Sequence, residues 1–527
     1  MCAPRALSAA PCPPCERGLV RSVGSRMNQF DVVVIGGGNA ALCAAISAHE
    51  SGASVLVIER APKDHRGGNS AFTGGAFRIA YDGVDDLRQL IPDLHPDEIR
   101  DSDFGTYTED QFYDEVIAMS GYRADADVLQ TVVRQSMPTM LWMTRHGVRF
   151  VPIYSRQSFK VDGKNKFWGG LTVEVSGGGL GLMQSLYAWA EQKTPIAFRY
   201  GARAVGLSNK DSGWSVDIEE EGKVDSIAAR TVVMATGGFH ANLQWRSMYL
   251  GPNWDLAKVR GSRYNTGDGI GLALRAGAIA HGNWTGCHAV FYDLNAPPFG
   301  DINLLNQQKN YFSLGIVVNA EGQRFVDEGS DFRNYIYSGM GAKVLGQPGA
   351  IAWQVFDAKT VGLLPDEYRV RHATRLQADT LEGLADLMEG IDKKAFLRTV
   401  GDFNASIDQT VPYNPAVLDG RSTQGLSVPK SNWAHPIDTG PFVAYAVTCG
   451  ITCTYGGVKV NPLGQVLDDG DRPLPGLYAA GEMVGGLYYI KYAGGAGLTA
   501  GSVLGRISGA HAAELAKAAS AGKGASS

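Results

Sequence analysis

Glycines and carboxylates in this chain have the types and spacing needed to hold a dinucleotide. Residues 31 to 41 read Asp-Val-Val-Val-Ile-Gly-Gly-Gly-Asn-Ala-Ala. Gly36 and Gly38 permit a tight turn and a close approach of backbone to a pyrophosphate, which then sits at the N-terminus of a helix starting near Asn39. Ala41 stands where a third glycine often lies and is small enough for helix-to-strand packing. Glu59, at the end of a second apolar run, is placed to accept hydrogen bonds from a ribose diol. Arg66-Gly-Gly-Asn-Ser-Ala-Phe-Thr-Gly-Gly75 is rich in small and turn-forming residues, so its backbone donors are open to a ligand. Further on, Gly267 and Gly269 flank Asp268 at a predicted helix start, where amides and a carboxylate can hold a ribityl chain or phosphate.

Several elements must position these groups. Val32 to Ile35 and Val55 to Ile58 are β-branched runs of the kind found in strands buried on both faces. Arg230 to Ala235 is a third, ending in Thr236-Gly-Gly238. Gly476-Leu-Tyr-Ala-Ala-Gly-Glu482 is a strand entering a Gly turn, followed by Gly485 to Gly497 and a helix to about Leu515. The fold class expected is α/β: a discontinuous Rossmann-like nucleotide-binding domain with an inserted α+β capping (substrate) domain. Its first part covers 28–281, the cap 282–449, the C-terminal part 450–515 and a tail 516–527. Residues from about 85 to 190 read as a helical insertion, with Ala126 to His146 as one helix, and 196–207 with 213–219 read as a β-meander. Gly177-Gly-Gly-Leu-Gly181 imitates a second fingerprint but lacks an acidic residue near Tyr200, so no second nucleotide site is expected.

The 527 residues, 44% hydrophobic and 19% charged, are enough for more than one core. A net charge of −5 with no long basic run gives no reason to expect nucleic acid. No apolar stretch approaches a membrane span, and no metal-ligand set is expected. Residues 1–27 read as a disordered extension. Its Cys12-Pro-Pro-Cys15 has the spacing of half a zinc site without a second half, and Met27 is an alternative start. Cys43, Cys287, Cys449 and Cys453 are scattered, which fits a reducing, cytoplasmic setting.

From about residue 28 to 512 this set of pieces resembles the FAD-binding flavoproteins that include soluble fumarate reductases, succinate dehydrogenase flavoprotein subunits and ketosteroid dehydrogenases. The runs Gly-Gly-Asn-Ala-Ala, Arg-Gly-Gly-Asn-Ser, Arg-Phe-Val-Asp-Glu and Tyr-x-Gly-Gly are most similar to those of FAD-dependent tricarballylate dehydrogenases. The resemblance implies FAD held by Gly36, Gly38, Ala41, Glu59, Asn69, Ser70, Gly74, Gly75, Ala204, Asp268, Glu482, Gly497 and Leu498. Residues 66–73 contain no His of the kind that attaches FAD covalently in membrane succinate dehydrogenases, so the FAD is expected to be non-covalent, with His65 the one nearby exception.

The same resemblance makes Arg333 the catalytic proton-transfer residue, one position later than the family spacing, and His288 a substrate-carboxylate contact. Arg324, Lys491 and Tyr492 complete the expected substrate site, with Asp331 or Glu328 as relays for Arg333. The family's His before Thr-x-Gly-Gly is absent from Thr452-Cys-Thr-Tyr-Gly-Gly457, and Tyr492 stands where a carboxylate-clamping arginine does.

The implied reaction is removal of hydrogen across a CH–CH bond, hydride going to flavin N5, in a polycarboxylate such as tricarballylate, giving cis-aconitate. Alternatives are a ketosteroid-dehydrogenase-like or fumarate-reductase-like enzyme, and, in another class, a flavin electron-transfer or assembly subunit without its own substrate. With no iron–sulfur, haem or second nucleotide motif, the resemblance implies a separate electron acceptor, membrane-bound and quinone-linked.

Overall fold

The computed structural model describes residues 29–167, 170–304 and 307–524. The N-terminal extension, with Met27 and the Cys12–Cys15 pair, lies outside them. The run Val32–Ile35 forms most of β1 (Gln29–Ile35), with Val32, Val33 and Val34 fully buried. α1 (Asn39–Glu50) leads to β2 (Val55–Glu59), parallel to β1. After the insertion come α2 (Gly178–Lys193), β3 (Ala197–Tyr200), β4 (Arg203–Lys210), β5 (Gly213–Glu220) and β6 (Lys223–Met234). The sheet order is β4-β5-β6-β1-β2-β3.

β6 is longer than the expected Arg230–Ala235. Its first half pairs antiparallel with β5 as the last strand of the meander, where exposed residues are frequent and no apolar run marks the strand. Its second half, Thr231 to Met234, lies parallel to β1 and is buried on both faces. The helix expected over Ala126–His146 is two, Ala126–Arg134 and Ser136–Arg145. The insertion also carries two small three-stranded ladders, one of them joining Ala76–Phe77, Val173–Val175 and Phe150–Pro152.

α3 (Asp268–Arg275) leads into a second sheet built from β7 (Cys287–Asp293), β8 (Ile316–Asn319), β9 (Ala352–Phe356), β10 (Arg375–Ala378) and β11 (Phe442–Thr454). β11 is its axis: the first half pairs with β9 and β10, the second with β7, all antiparallel. This sheet takes in Lys258–Val259 and runs through to Thr454, so it extends past both ends of the expected 282–449 segment.

The chain then returns to the first sheet. β12 (Pro473–Ala479) pairs parallel with the end of β6, and α4 (Ala496–Gly524) packs along α1. The register aligns Ile35 with Ile58 and Met234, and Met234 with Ala479, so four parallel strands finish at one level and their following residues share one crevice. α4 continues beyond Leu515 because Ala512, Ala513 and Ala516 are fully buried. Its glycines let two helix backbones touch: a Cβ on Gly505 would lie 2.4 Å from the Ala40 carbonyl oxygen, and one on Gly509 2.1 Å from that of Ala44. Asn39 Nδ2 fixes the register by donating to Leu498 O at 3.0 Å and Ser502 Oγ at 2.8 Å.

Gly509→Ala is therefore expected to destabilise by about 1–3 kcal/mol through overpacking. Gly401→Ala, in the helix Lys393–Ala405 where an added Cβ meets nothing, serves as the control and is expected to raise stability slightly. Thermal unfolding of the two variants checks both signs.

Candidate functional site

One cleft runs from the strand ends of the first sheet to the last residues of β11. Its floor at one end is Gly36, Gly37 and Gly38. Gly36 has φ +118°, and a Cβ there would lie 2.2 Å from Ala235 O, so only glycine allows strand and turn to meet. Gly38 caps α1 with no side chain, while Ser70 Oγ accepts from Asn39 N at 3.1 Å and holds the helix start in place. Glu59 closes this end, accepting from Ala61 N at 2.6 Å. A glycine floor, a helix N-terminus and a buried carboxylate at the end of β2 fit the pyrophosphate and ribose of FAD. No histidine stands in the 66–75 loop, and His65 is an exposed residue outside the cleft lining.

Of the residues expected to hold FAD, Gly36, Gly38, Glu59, Asn69, Ser70, Gly74, Ala204, Asp268, Glu482, Gly497 and Leu498 line this cleft. Ala41 does not: it is fully buried in the packing of α1. Gly75 does not either. Its φ of +72° and close approach to Gly178 let the start of α2 lie against the loop, where Gly179 N donates to Thr73 O. The Gly177–Gly181 run thus serves packing. Asp268 is engaged by Arg60 Nη1 at 3.0 Å and Arg203 Nε at 2.7 Å, two cleft-lining arginines that bring positive charge to the dinucleotide end. Glu482 accepts from Thr454 N at 2.9 Å and is bonded to the buried His240 at 3.0 Å.

The other end of the cleft is lined by Arg156, Arg260 and Arg333, with His288, Tyr337 and Tyr492. Burial, reinforced by Arg333 and Arg260, holds the Arg156 guanidinium below its ordinary value. Burial and then Arg260 push His288 down to about 3, so its imidazole is neutral. Among the described residues Nδ1 of His288 has no hydrogen-bond partner, and its ring stacks on Tyr492 with centroids 4.8 Å apart. Burial raises Tyr337 to about 12 and Tyr492 well above its usual value, so both phenols keep their protons. Gly497 N donates to Tyr492 Oη at 2.9 Å, which ties that ring to the start of α4.

Two expected substrate residues fall outside this assembly. Arg324 is buried away from the cleft, paired with Glu328 and bonded to the Val428 carbonyl at 2.7 Å and the Pro429 carbonyl at 3.1 Å. Lys491 is exposed and is not among the residues lining the cleft. The proposed relays are also engaged elsewhere: Glu328 accepts from Val317 N at 2.7 Å, and Asp331 from Phe332 N at 2.7 Å. Tyr311 is the group beneath Arg333, its ring centroid 4.3 Å from the guanidinium carbon.

Sequence reasoning missed Arg60, Arg156, Arg203, Arg260, Gln157 and Asn334. Arg260 opens the glycine-rich run before Asp268 and Asn334 follows Arg333, which are weak signals; Arg156 and Gln157 sit in an aperiodic stretch that gave none.

Burial pushes the Glu59 carboxyl up to about 7. A raised value favours the protonated fold, so its contribution is complete below the ordinary glutamate value of 4.5 and is lost as pH rises through about 7. Apoprotein melting temperature should accordingly fall over that window, and Glu59→Gln should flatten the fall. A slope unchanged by the substitution would assign the pH dependence to other groups.

The FAD binding domain family matches residues 31–498. Fumarate reductase (cytochrome) of Shewanella frigidimarina is 27% identical over 493 residues, covering 92% of this chain and 77% of that protein. NADH:fumarate oxidoreductase of Klebsiella pneumoniae is 26% identical over 508 residues, covering 93% of this chain, which spans only 48% of that relative's length. Among solved structures, the open conformation of a flavocytochrome c3 fumarate reductase gives a TM-score of 0.71 at 23% identity, covering 94% of this chain and 80% of that one, a likeness of fold. The chain belongs to the FAD binding domain family.

Proposed function

We propose that the protein transfers hydrogen across a CH–CH bond next to a carboxylate, with a polycarboxylate as substrate. The observation that carries this reading is the convergence of Arg156, Arg260 and Arg333 on one buried end of the cleft. Guanidiniums gathered at one end suit a polyanion such as tricarballylate, whose dehydrogenation would give cis-aconitate. FAD, held non-covalently, supplies the hydride acceptor or donor at its ring N5.

The chain's own residues do the rest. Arg156 and Arg260 bind and orient carboxylate groups, and guanidiniums suit this because their planar N–H fork matches carboxylate oxygens. His288, neutral, adds no charge to this cationic wall and shapes it through its stacking on Tyr492. Arg333 is the proton-transfer residue, taking the proton from the substrate carbon in dehydrogenation and returning it in reduction. A second reading, in which the same site reduces the C=C bond of an unsaturated carboxylate, follows the names of its fumarate-reductase relatives. Direction would then follow the potential of the electron carrier. That carrier is a separate protein, quinone-linked at a membrane; rapid turnover with NADH and no added partner would sink this. Among the described residues no helix is long and apolar enough to cross a membrane. The free cysteines Cys43, Cys287, Cys449 and Cys453 support a reducing, cytoplasmic setting.

An anaerobic single-turnover assay tests the substrate class by following flavin absorbance with tricarballylate, succinate and a 3-ketosteroid added separately. Bleaching by a carboxylate is expected, and bleaching by the steroid alone would overturn the reading. Arg333→Gln should keep its FAD while turnover falls by about 10²–10⁴-fold, the usual contribution of a positioned proton-transfer group. An electron-transfer subunit without its own substrate would show no such loss.

A further inference from the structure

We propose that the side-chain amides of Gln157 and Asn334 form a neutral latch that orients the Arg333 guanidinium in the cleft, making both positioning residues. The proposal rests on the role given to Arg333 above. Gln157 Nε2 donates to Asn334 Oδ1 at 3.1 Å, and Asn334 Nδ2 donates back to Gln157 Oε1 at 2.7 Å. The two residues come from distant parts of the chain, the short turn Tyr154–Gln157 of the insertion and the turn Arg333–Ile336 beside the second sheet. Both line the cleft, and both are more than nine-tenths buried.

The neighbouring pair of residues makes a second contact. Arg333 Nη2 donates to the Arg156 carbonyl at 2.5 Å, and Tyr311 Oη donates to the same oxygen at 3.3 Å. A single contact between two segments is a pivot. Two contacts from consecutive residues, 156 with 333 and 157 with 334, fix direction as well as distance. The Tyr311 ring supports one face of the guanidinium. Arg156 anchors the whole group to the cofactor loop, its own guanidinium donating to Gly74 O at 3.0 Å and pairing with Glu174.

The chemistry of the pair suits its surroundings. Buried polar groups need partners, and here each amide supplies both the donor and the acceptor the other requires. A carboxylate in either place would attract the nearby guanidiniums and compete with the substrate for them. An aliphatic pair would fill the space without fixing direction. A neutral amide pair fixes direction and leaves the charge of Arg333 to the cleft.

The test uses the FAD-loaded full chain with Gln157→Met, Asn334→Leu, Asn334→Asp and the exchanged double variant Gln157→Asn/Asn334→Gln, which keeps the combined length of the two side chains. Turnover is followed with tricarballylate and an artificial electron-accepting dye in excess, and with fumarate and excess dithionite-reduced viologen as the electron donor. Each single variant is expected to lose about tenfold or more in kcat with little change in KM, as misplacement of a reacting group does, while the exchanged variant recovers most of the loss. Asn334→Asp should lose more than Asn334→Leu. Hydrogen exchange over residues 330–338, which needs no substrate, should quicken in the single variants and return towards the wild-type rate in the exchanged one. Unchanged exchange in the single variants would overturn the latch, as would unchanged kcat or an exchanged variant no better than the singles. Full turnover by Arg333→Gln would overturn the role of Arg333 instead, and the exchange measurement would still decide whether the latch exists.

Discussion

The side chain of Asn69 holds the two halves of the molecule in register. Its Nδ2 donates to Thr452 O at 2.7 Å near the end of β11, and its Oδ1 accepts from Ser262 N at 3.3 Å. One amide thus ties the glycine loop of the first sheet to the axis strand of the second and to the segment carrying Arg260. His288 on β7 and Thr452 to Thr454 at the end of β11 are placed relative to the cofactor loop by this tie. Because the central strand is buried along almost its whole length, small shifts at one end are not absorbed locally.

Charge is divided along the cleft that this junction creates. Glu59 and Asp268 stand at the dinucleotide end, with Asp268 balanced by Arg60 and Arg203. Arginines gather at the other end, and the histidine among them is kept neutral by burial and by Arg260. The cost of burying like charges is tolerated because Arg156 is paired with Glu174 and Arg333 rests on Tyr311. An anionic ligand completes the balance, which is why the wall reads as a place for carboxylates.

The dinucleotide end was legible in the sequence because its chemistry is local. Strand, glycine turn, helix and Glu59 lie within about thirty residues, and each has a periodic or compositional signature. The substrate end was legible only in part. Arg333 and His288 came from resemblance, whereas Arg156, Gln157 and Arg260 reach the cleft from an aperiodic turn and a glycine-rich loop whose placement depends on long-range packing. Arg324 and Lys491 show the converse. Residue type and sequence neighbourhood suited a carboxylate site, but one guanidinium is used up inside the second sheet's own loops and the other cation faces solvent. The first half of β6 was hidden because a solvated meander strand carries no continuous apolar run.

α4 gives the architecture an order in time. The N-terminus of this last helix supplies Gly497 and Leu498 to the cleft, and its glycine face is the surface on which α1 rests. β12, also from the far end of the chain, fills the flank of β6. The glycine turn after β1 therefore remains half-built until α4 is made, with α1 lacking its main helical neighbour until the second sheet has been made and passed. An emerging chain has no finished cofactor site, and FAD can be gripped fully only once α4 has been translated.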